Sequence, residues 1–132
     1  MIVMDDFLAR DIMIKDVLTI KVGSKVALAR LQMMRHGIGG LPVVDKDGTL
    51  VGMITLRDID LAGSDVSNLC IDDLMTRNLI KGYEDTTLKE IVEAMIKTGI
   101  QRIPIVDNKG KLIGLVTQTS VIKGALAYNL LK

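Results

Sequence analysis

Sliding the sequence along itself by 62 residues lays Arg10–Ile59 over Asp72–Val121 without a gap. GIGGLPVVDKDGTLVGMIT (Gly37–Thr55) then falls on GIQRIPIVDNKGKLIGLVT (Gly99–Thr117). Asp11 and Asp73, Met13 and Met75, Pro42 and Pro104, Gly52 and Gly114, and Thr55 and Thr117 are among the matched identities. This is an internal duplication, with a period too long and copies too few for a solenoid. Whatever one copy folds into, the other must fold into as well. A unit of about 55 residues, with one helical layer on a small sheet, is marginal alone. Two copies packing their sheets together about a pseudo-two-fold axis bury the apolar face that each leaves over.

Each copy reads as β-α-β-β-α. An apolar run opens it, Val17–Ile20 in the first copy and Leu79–Ile80 in the second. A helix follows, clearest in the second copy, where Leu88, Ile91, Val92, Met95 and Ile96 form a stripe at helical spacing. Ser24 and Thr86 stand where N-caps belong, and Gly37 and Gly99 where a C′ glycine ends the helix. A strand comes next, Leu41–Val44 or Ile103–Val106. The turns DKDG and DNKG lead into a second strand, Leu50–Thr55 or Leu112–Thr117, a strong hairpin signal. A second helix closes each copy, near 57–62 and 119–128. The fold class is therefore mixed, α/β in the α+β sense. The whole chain, 1–132, reads as one paired module: repeat 1 at 9–62, a linker at 63–69 in the stretch AGSDVSN, and repeat 2 at 70–128.

Composition narrows the function. Apolar residues make up 48% of the chain, yet no window approaches the roughly 18 uncharged apolar residues that span a bilayer. The start, MIVMDDFLARD, places acids where a signal peptide needs a basic region, so the expected setting is soluble and cytoplasmic, without a membrane. Seventeen basic against sixteen acidic side chains and 2% aromatics provide neither the basic face nor the stacking platforms of a nucleic-acid binder. The one cysteine, Cys70, reads as a small buried hydrophobe, and the one histidine, His36, as a cation at a helix C-terminus. Asp5–Asp6 and Asp72–Asp73 are acidic pairs without a histidine nearby and read as solvated helix-start charges. No nucleophile, base and orienting group converge in the sequence, and no Walker or GxGxxG loop is present, so catalysis is not expected.

The remaining chemical signal is the junction GMITLRDI (Gly52–Ile59) and its counterpart GLVTQTSV (Gly114–Val121). A threonine at the end of a strand, with a helix starting at once, gathers backbone N–H groups at a spot that suits a phosphate. An aspartate three residues on can accept from both hydroxyls of a ribose. Thr55 and Asp58 supply that pair. Thr-x-x-Asp is equally a capping box that needs no ligand. Gly52 and Gly114, inside strands, mark a close approach to the backbone, a bulge or tight sheet packing.

These strings resemble the CBS domain, a module that occurs in tandem pairs: two strand entries ending in hydrophobic-Pro, a D-x-x-G hairpin, then hydrophobic-x-G-hydrophobic-hydrophobic-T-x-x-D. The resemblance covers about 9–125. It implies a regulatory pair that binds an adenosyl ligand (AMP, ADP or ATP, with S-adenosylmethionine or NAD as further members) in clefts between the copies. It also implies a homodimer and an attached or associated enzyme, channel or transporter as the regulated partner. A ligand-free structural or dimerisation plate is the other reading of such a module.

Carried over by position, the ribose acid is Asp58 and the phosphate-side hydroxyl is Thr55. The adenine is implied to pack around Met53 and Ile54 and around Asn78, Leu79, Ile80 and Lys81. The basic residue before hydrophobic-Pro is Arg102, followed by Ile103 and Pro104, while the first copy has Gly40 there; Arg57 and Lys81 are further cations. The second site would use Val17, Leu18 and Thr19 with Thr117, and has Ser120 in place of the acid. A serine lacks the charge that makes a carboxylate the stronger acceptor. One competent site and one weak or empty site are expected.

Overall fold

The computed structural model describes residues 6–63 and 65–128. Its elements are α1 (Ala9–Ile12), β1 (Ile20–Lys21), α2 (Val26–His36), β2 (Gly40–Val44), β3 (Leu50–Thr55), α3 (Leu56–Leu61), α4 (Leu88–Thr98), β4 (Arg102–Val106), β5 (Leu112–Thr117) and α5 (Gln118–Ala127). A 3₁₀ turn at Ile71–Asp73 lies between α3 and α4. The fold is α+β. No helix among the described residues is long and apolar enough to cross a membrane.

The chain forms two compact units: Leu18–Leu79, and the residues up to Val17 together with those from Ile80 onward. In the first, β2 and β3 pair antiparallel from Gly40 opposite Thr55 to Val44 opposite Leu50, and β1 adds in parallel with Ile20 beside Val43. In the second, β4 and β5 pair from Arg102 opposite Thr117 to Val106 opposite Leu112. Both hairpins are closed by an aspartate that turns back on its own loop. Asp45 Oδ1 accepts from the N–H groups of Asp47 and Thr49, and Asp107 Oδ1 from those of Lys109 and Lys111, all at 2.9–3.0 Å. This Asx geometry offers the loop backbone partners that water would otherwise supply.

Each sheet gains an edge from outside its own repeat. Thr76 forms a two-way antiparallel bridge with Met53, N–H to C=O in both directions at 2.9 Å. Sixty-two residues away in both partners, Ile14 forms the same bridge with Leu115, at 2.8 and 3.0 Å. The segment that leads into each repeat thus packs in the unit built from the other repeat's hairpin. The preceding methionines fix it in place. A Cβ on Gly52 would stand 2.9 Å from Met75 Sδ and 2.9 Å from the Thr76 carbonyl oxygen, and one on Gly114 would overlap the Met13 side chain. Opposite the same glycines the ladder slips, between Val43 and Val44 and between Ile105 and Val106. Both explanations for the strand glycines hold together: a close approach and a bulge.

The cores follow from the predicted faces. In the first unit Val26, Ala29 and Met33 of α2 pack with Leu41, Val43, Ile54, Ile59, Ile71 and Met75. In the second, Ala9 and Ile12 of α1 join Leu88, Ile91 and Met95 of α4 against Ile103, Ile105 and Val116. Burying each of the Val, Leu, Ile and Met side chains among them contributes about 1.5–3 kcal/mol before entropy is subtracted. Gly37 and Gly99 end α2 and α4 at φ 63° and 75°, the left-handed cap expected of them.

Several local expectations shift. The first strand is Ile20–Lys21 rather than Val17–Ile20, and Leu79–Ile80 is not a strand; the second copy retains only one parallel bridge, Gly82 to Ile105. The apolar runs mark packing, while pairing begins later, and a glycine at the paired position weakens the ladder. Helix caps fall one residue beyond Ser24 and Thr86. Thr87 caps α4 in a box with Glu90, whereas Lys25 precedes α2 without a side-chain cap. Thr86 Oγ1 instead accepts from Tyr83 N–H. The closing helices begin one residue earlier than expected, at Leu56 and Gln118, with Thr55 and Thr117 as N-caps. Cys70 is half-buried rather than buried, its thiol donating to the Gly23 carbonyl at 3.7 Å. Ile96 is solvent-exposed, off the buried stripe of α4. Asp72 accepts from Gly23 N–H at 2.8 Å, His36 Nδ1 lies 3.0 Å from the Gln32 carbonyl, and Asp5 falls outside the described residues.

Two outcomes follow for stability. Gly52→Ala should cost about 2–3 kcal/mol in urea unfolding, because the Thr76 carbonyl cannot yield cheaply. Gly114→Ala meets only the flexible Met13 side chain and should cost less, with Met13→Ala recovering part of the loss and Met75→Ala failing to rescue Gly52→Ala. The N–H groups of Lys111 and Lys109 and the nearby lysine charges hold the Asp107 carboxyl below its ordinary pKa, against an opposing desolvation. Its contribution is present above the unfolded pKa and is lost as pH falls through the lower folded value. Unfolding midpoints taken from about pH 5 to about pH 3 should therefore fall less steeply in Asp107→Asn than in the parent chain.

Candidate functional site

Thr55 and Asp58 meet where β3 ends and α3 begins. Thr55 N–H donates to Asp58 Oδ2 at 2.9 Å, and Asp58 N–H donates to Thr55 Oγ1 at 3.1 Å, closing a reciprocal capping box. The Leu56 N–H is taken by the Gly39 carbonyl at 2.9 Å. The pair is half-buried, and Arg57 beside it is exposed. Capping and ligand chemistry are compatible here. The box uses one carboxylate oxygen, and Asp58 Oδ1 makes no hydrogen bond among the described residues. The Thr55 hydroxyl accepts one bond and keeps its proton to donate.

The same junction in the other repeat is spent differently. Thr117 N–H donates to Ser120 Oγ at 2.8 Å, and Ser120 N–H to Thr117 Oγ1 at 3.0 Å. Ser120 Oγ also donates to the Thr117 carbonyl at 2.9 Å. That buried hydroxyl has given its only proton and one of its two lone pairs. It retains one lone pair, where Asp58 retains a whole carboxylate oxygen.

The other candidates divide between the units. Within Leu18–Leu79, Ile54 is wholly in the core, and Met53 is nearly buried with its backbone N–H and C=O both taken by Thr76. Asn78 is exposed and Leu79 half-buried, just beyond Thr76, while Leu18 and Thr19 are half-buried at the unit's start. Gly40 stands opposite Thr55 in the ladder, so no basic side chain faces that threonine across β2. Within the second unit Val17 is half-buried, Ile80 and Lys81 are exposed, and Gly82 N–H donates to the Pro104 carbonyl at 2.9 Å. Ile103 and Pro104 are buried in β4. Arg102, opposite Thr117, is half-buried, and its side chain has no hydrogen bond or ion pair among the described residues. Burial pushes its guanidinium below its usual pKa, since the charged form loses water without gaining a partner.

Sequence reasoning did not find Met13, Met75, Ile14 and Thr76, which set the edge beside each junction. Their signal lay in the alignment: Met13 and Met75 are matched identities, as are the two glycines they cover. Among the described residues no group of three or more His, Cys, Asp or Glu side chains could hold a metal ion.

Comparison with known proteins places this arrangement. The CBS domain family matches residues 9–64 and 71–126. Inosine-5'-monophosphate dehydrogenase of Methanocaldococcus jannaschii is 36% identical over 115 residues, covering 87% of this chain and 23% of that protein. The same enzyme of Thermoplasma acidophilum is 40% identical over 113 residues, covering 84% and 22%. The chain thus spans less than a quarter of these relatives. Among solved structures, the CBS domain pair of MJ0100 in complex with 5'-methylthioadenosine and S-adenosylmethionine aligns at TM-score 0.82 and 31% identity, covering 95% of this chain and 98% of that one. CBSX2 in complex with AMP aligns at TM-score 0.85 and 27% identity, covering 93% and 98%. With both repeats matched and the two-copy fold reproduced, the chain belongs to the CBS domain family, as a tandem pair.

Proposed function

We propose that this pair is a non-catalytic, cytoplasmic sensing module that binds an adenosine-containing ligand and reports its level to a regulated enzyme or transporter. In this reading the ligand is AMP, ADP or ATP, with S-adenosylmethionine or NAD as further members of the class. Asp58 accepts from the ribose diol, Thr55 donates to the phosphate side, and Arg102 supplies the cation. Met53 and Ile54, with Asn78 through Lys81 and Ile103–Pro104, frame the base. The junction at Thr117 and Ser120, with Val17, Leu18 and Thr19, is the weak or empty counterpart. The chain acts as a homodimer.

One observation carries the asymmetry: after capping its helix, Asp58 keeps a carboxylate oxygen with no hydrogen bond among the described residues, whereas the Ser120 hydroxyl has already donated its proton. A diol presents two donors and needs two acceptor positions. Charged acceptors are roughly twice as strong as neutral ones. The adenosyl ligands bound by MJ0100 and CBSX2 support the ligand class. Signalling would follow from population shift, as a ligand favours whichever arrangement binds it better.

Thermal stabilisation by AMP, ATP, S-adenosylmethionine and NAD tests the proposal, since a hundredfold excess over Kd adds about 2.7 kcal/mol. Asp58→Asn keeps an oxygen for the cap and should hold most of the intrinsic stability while losing most of the ligand-dependent shift. Ser120→Ala should cost about 1 kcal/mol of stability as a lost cap, yet leave the ligand shift intact. No shift with any ligand in the parent chain would favour the ligand-free dimerisation plate, and equal loss from both variants would remove the asymmetry.

A further inference from the structure

The methionines among the described residues divide sharply by burial. Met33, Met53, Met75 and Met95 are at most 8% exposed. Met34 is 72% exposed and belongs to neither core. Met13 is half-buried and packs against the core of the second unit, so it alone among them is both reachable from solvent and structural. Its thioether fills the hollow left by the missing Cβ of Gly114: a Cβ there would overlap Met13 Sδ and stand 2.8 Å from its Cγ. Met13 N–H donates to the Ala9 carbonyl at 2.8 Å, ending α1. The next residue, Ile14, forms the two-way bridge with Leu115. The thioether therefore pins the stretch at which α1, the edge segment and β5 meet. The duplication supplies an internal control, because Met75 lies over Gly52 in the same way but is only 8% exposed.

We infer that Met13 is an oxidation-sensitive latch on the second unit, opened by a hydroperoxide and closed again by reduction. In the opening step the thioether sulfur attacks one oxygen of hydrogen peroxide and the O–O bond breaks. The other oxygen leaves as hydroxide, which takes the proton from the new S–OH group and becomes water. Sulfur is oxidised by two electrons to the sulfoxide, and the peroxide is reduced. The product carries a strongly polar S–O group in a hollow that suited a thioether. On the Gly114 side there is no room for it, since the sulfur already occupies the place of a Cβ. The new oxygen turns to water, draws the sulfur out of the hollow and takes Ile14 away from Leu115. Leu115 lies two residues before Thr117, so release frees one side of the strand that ends at that junction. The other unit, with its methionine shielded, keeps its edge. This latch goes beyond the ligand reading and does not depend on it.

Graded hydrogen peroxide on the full chain tests this, in a Cys70→Ser background that removes the competing thiol, with peptide mass mapping of each methionine. Met34 should be oxidised first, Met13 next, and Met33, Met53, Met75 and Met95 only after unfolding. Sulfoxide at Met13 should lower the melting temperature by about 3 °C or more. It should also speed amide exchange at Ile14 and Leu115 about tenfold, with Met53 and Thr76 unchanged. Met34→Leu should keep this response, and Met13→Leu, close in volume, should lose it. Methionine sulfoxide reductases for both epimers, with a dithiol reductant, should restore the starting values, which decides the matter even if Met13→Leu does not fold. Four results would overturn the proposal: Met13 reacting as slowly as the buried methionines, Met13 sulfoxide with unchanged melting and exchange, a full response in Met13→Leu, or no recovery once the sulfoxide is reduced.

Discussion

The contact on which the structure depends is a methionine side chain lying where a strand has no Cβ. Met75 over Gly52 and Met13 over Gly114 let a foreign segment come close enough to each sheet edge for Thr76 and Ile14 to form their bridges. Any larger residue in the strand would hold the segment away, and the outward N–H and C=O groups of Met53 and Leu115 would lose their partners. Unmade backbone bonds in a partly buried site cost more than made ones contribute. The glycine lowers strand stability on its own account, and the bridge and the thioether packing offset that loss.

The same contact positions the chemistry. Met53 is tied at both backbone atoms, and two residues later Thr55 begins the capping box. The junction is therefore held from three directions: by the β2 ladder, by the edge segment and by its own helix. Rigid placement of this kind lets one oxygen of Asp58 serve structure while the other makes no hydrogen bond among the described residues. In the other repeat the scaffold is the same, and a single side-chain difference leaves the hydroxyl committed to its own turn.

Much of this was legible in the sequence because it is locally encoded. Turn aspartates, C′ glycines and the apolar runs of β2 and β3 depend on neighbours a few residues away, and the strand limits Leu50–Thr55 and Leu112–Thr117 came out as expected. The exchange of edge segments was not legible, because it joins residues far apart in sequence and changes no local pattern. Ile96 misled for a related reason: helical spacing places it beside the stripe, and only the position of α5 decides which side of that stripe is covered. At the site, Thr-x-x-Asp could be cap or ligand group, and the geometry of the junction lets one carboxylate serve the first role with an oxygen to spare. The division between Asp58 with Gly40 in one unit and Ser120 with Arg102 in the other was visible residue by residue; that the Arg102 side chain lacks a partner among the described residues was not.

The discontinuous unit also has a consequence for the order in which the chain can be assembled. Leu18–Leu79 is a continuous insert, so a ribosome that has released it has released everything that unit contains. The segment ahead of Leu18 has no such opportunity. Its partners, α4, β4, β5 and α5, follow the insert, and until these are made Ala9 and Ile12 have no core to enter. Folding of the insert replaces a flexible 62-residue loop by a fixed connection between Val17 and Ile80, sparing the final step a closure entropy of roughly 3–4 kcal/mol. The segment ahead of the insert is thus completed by the one that follows it.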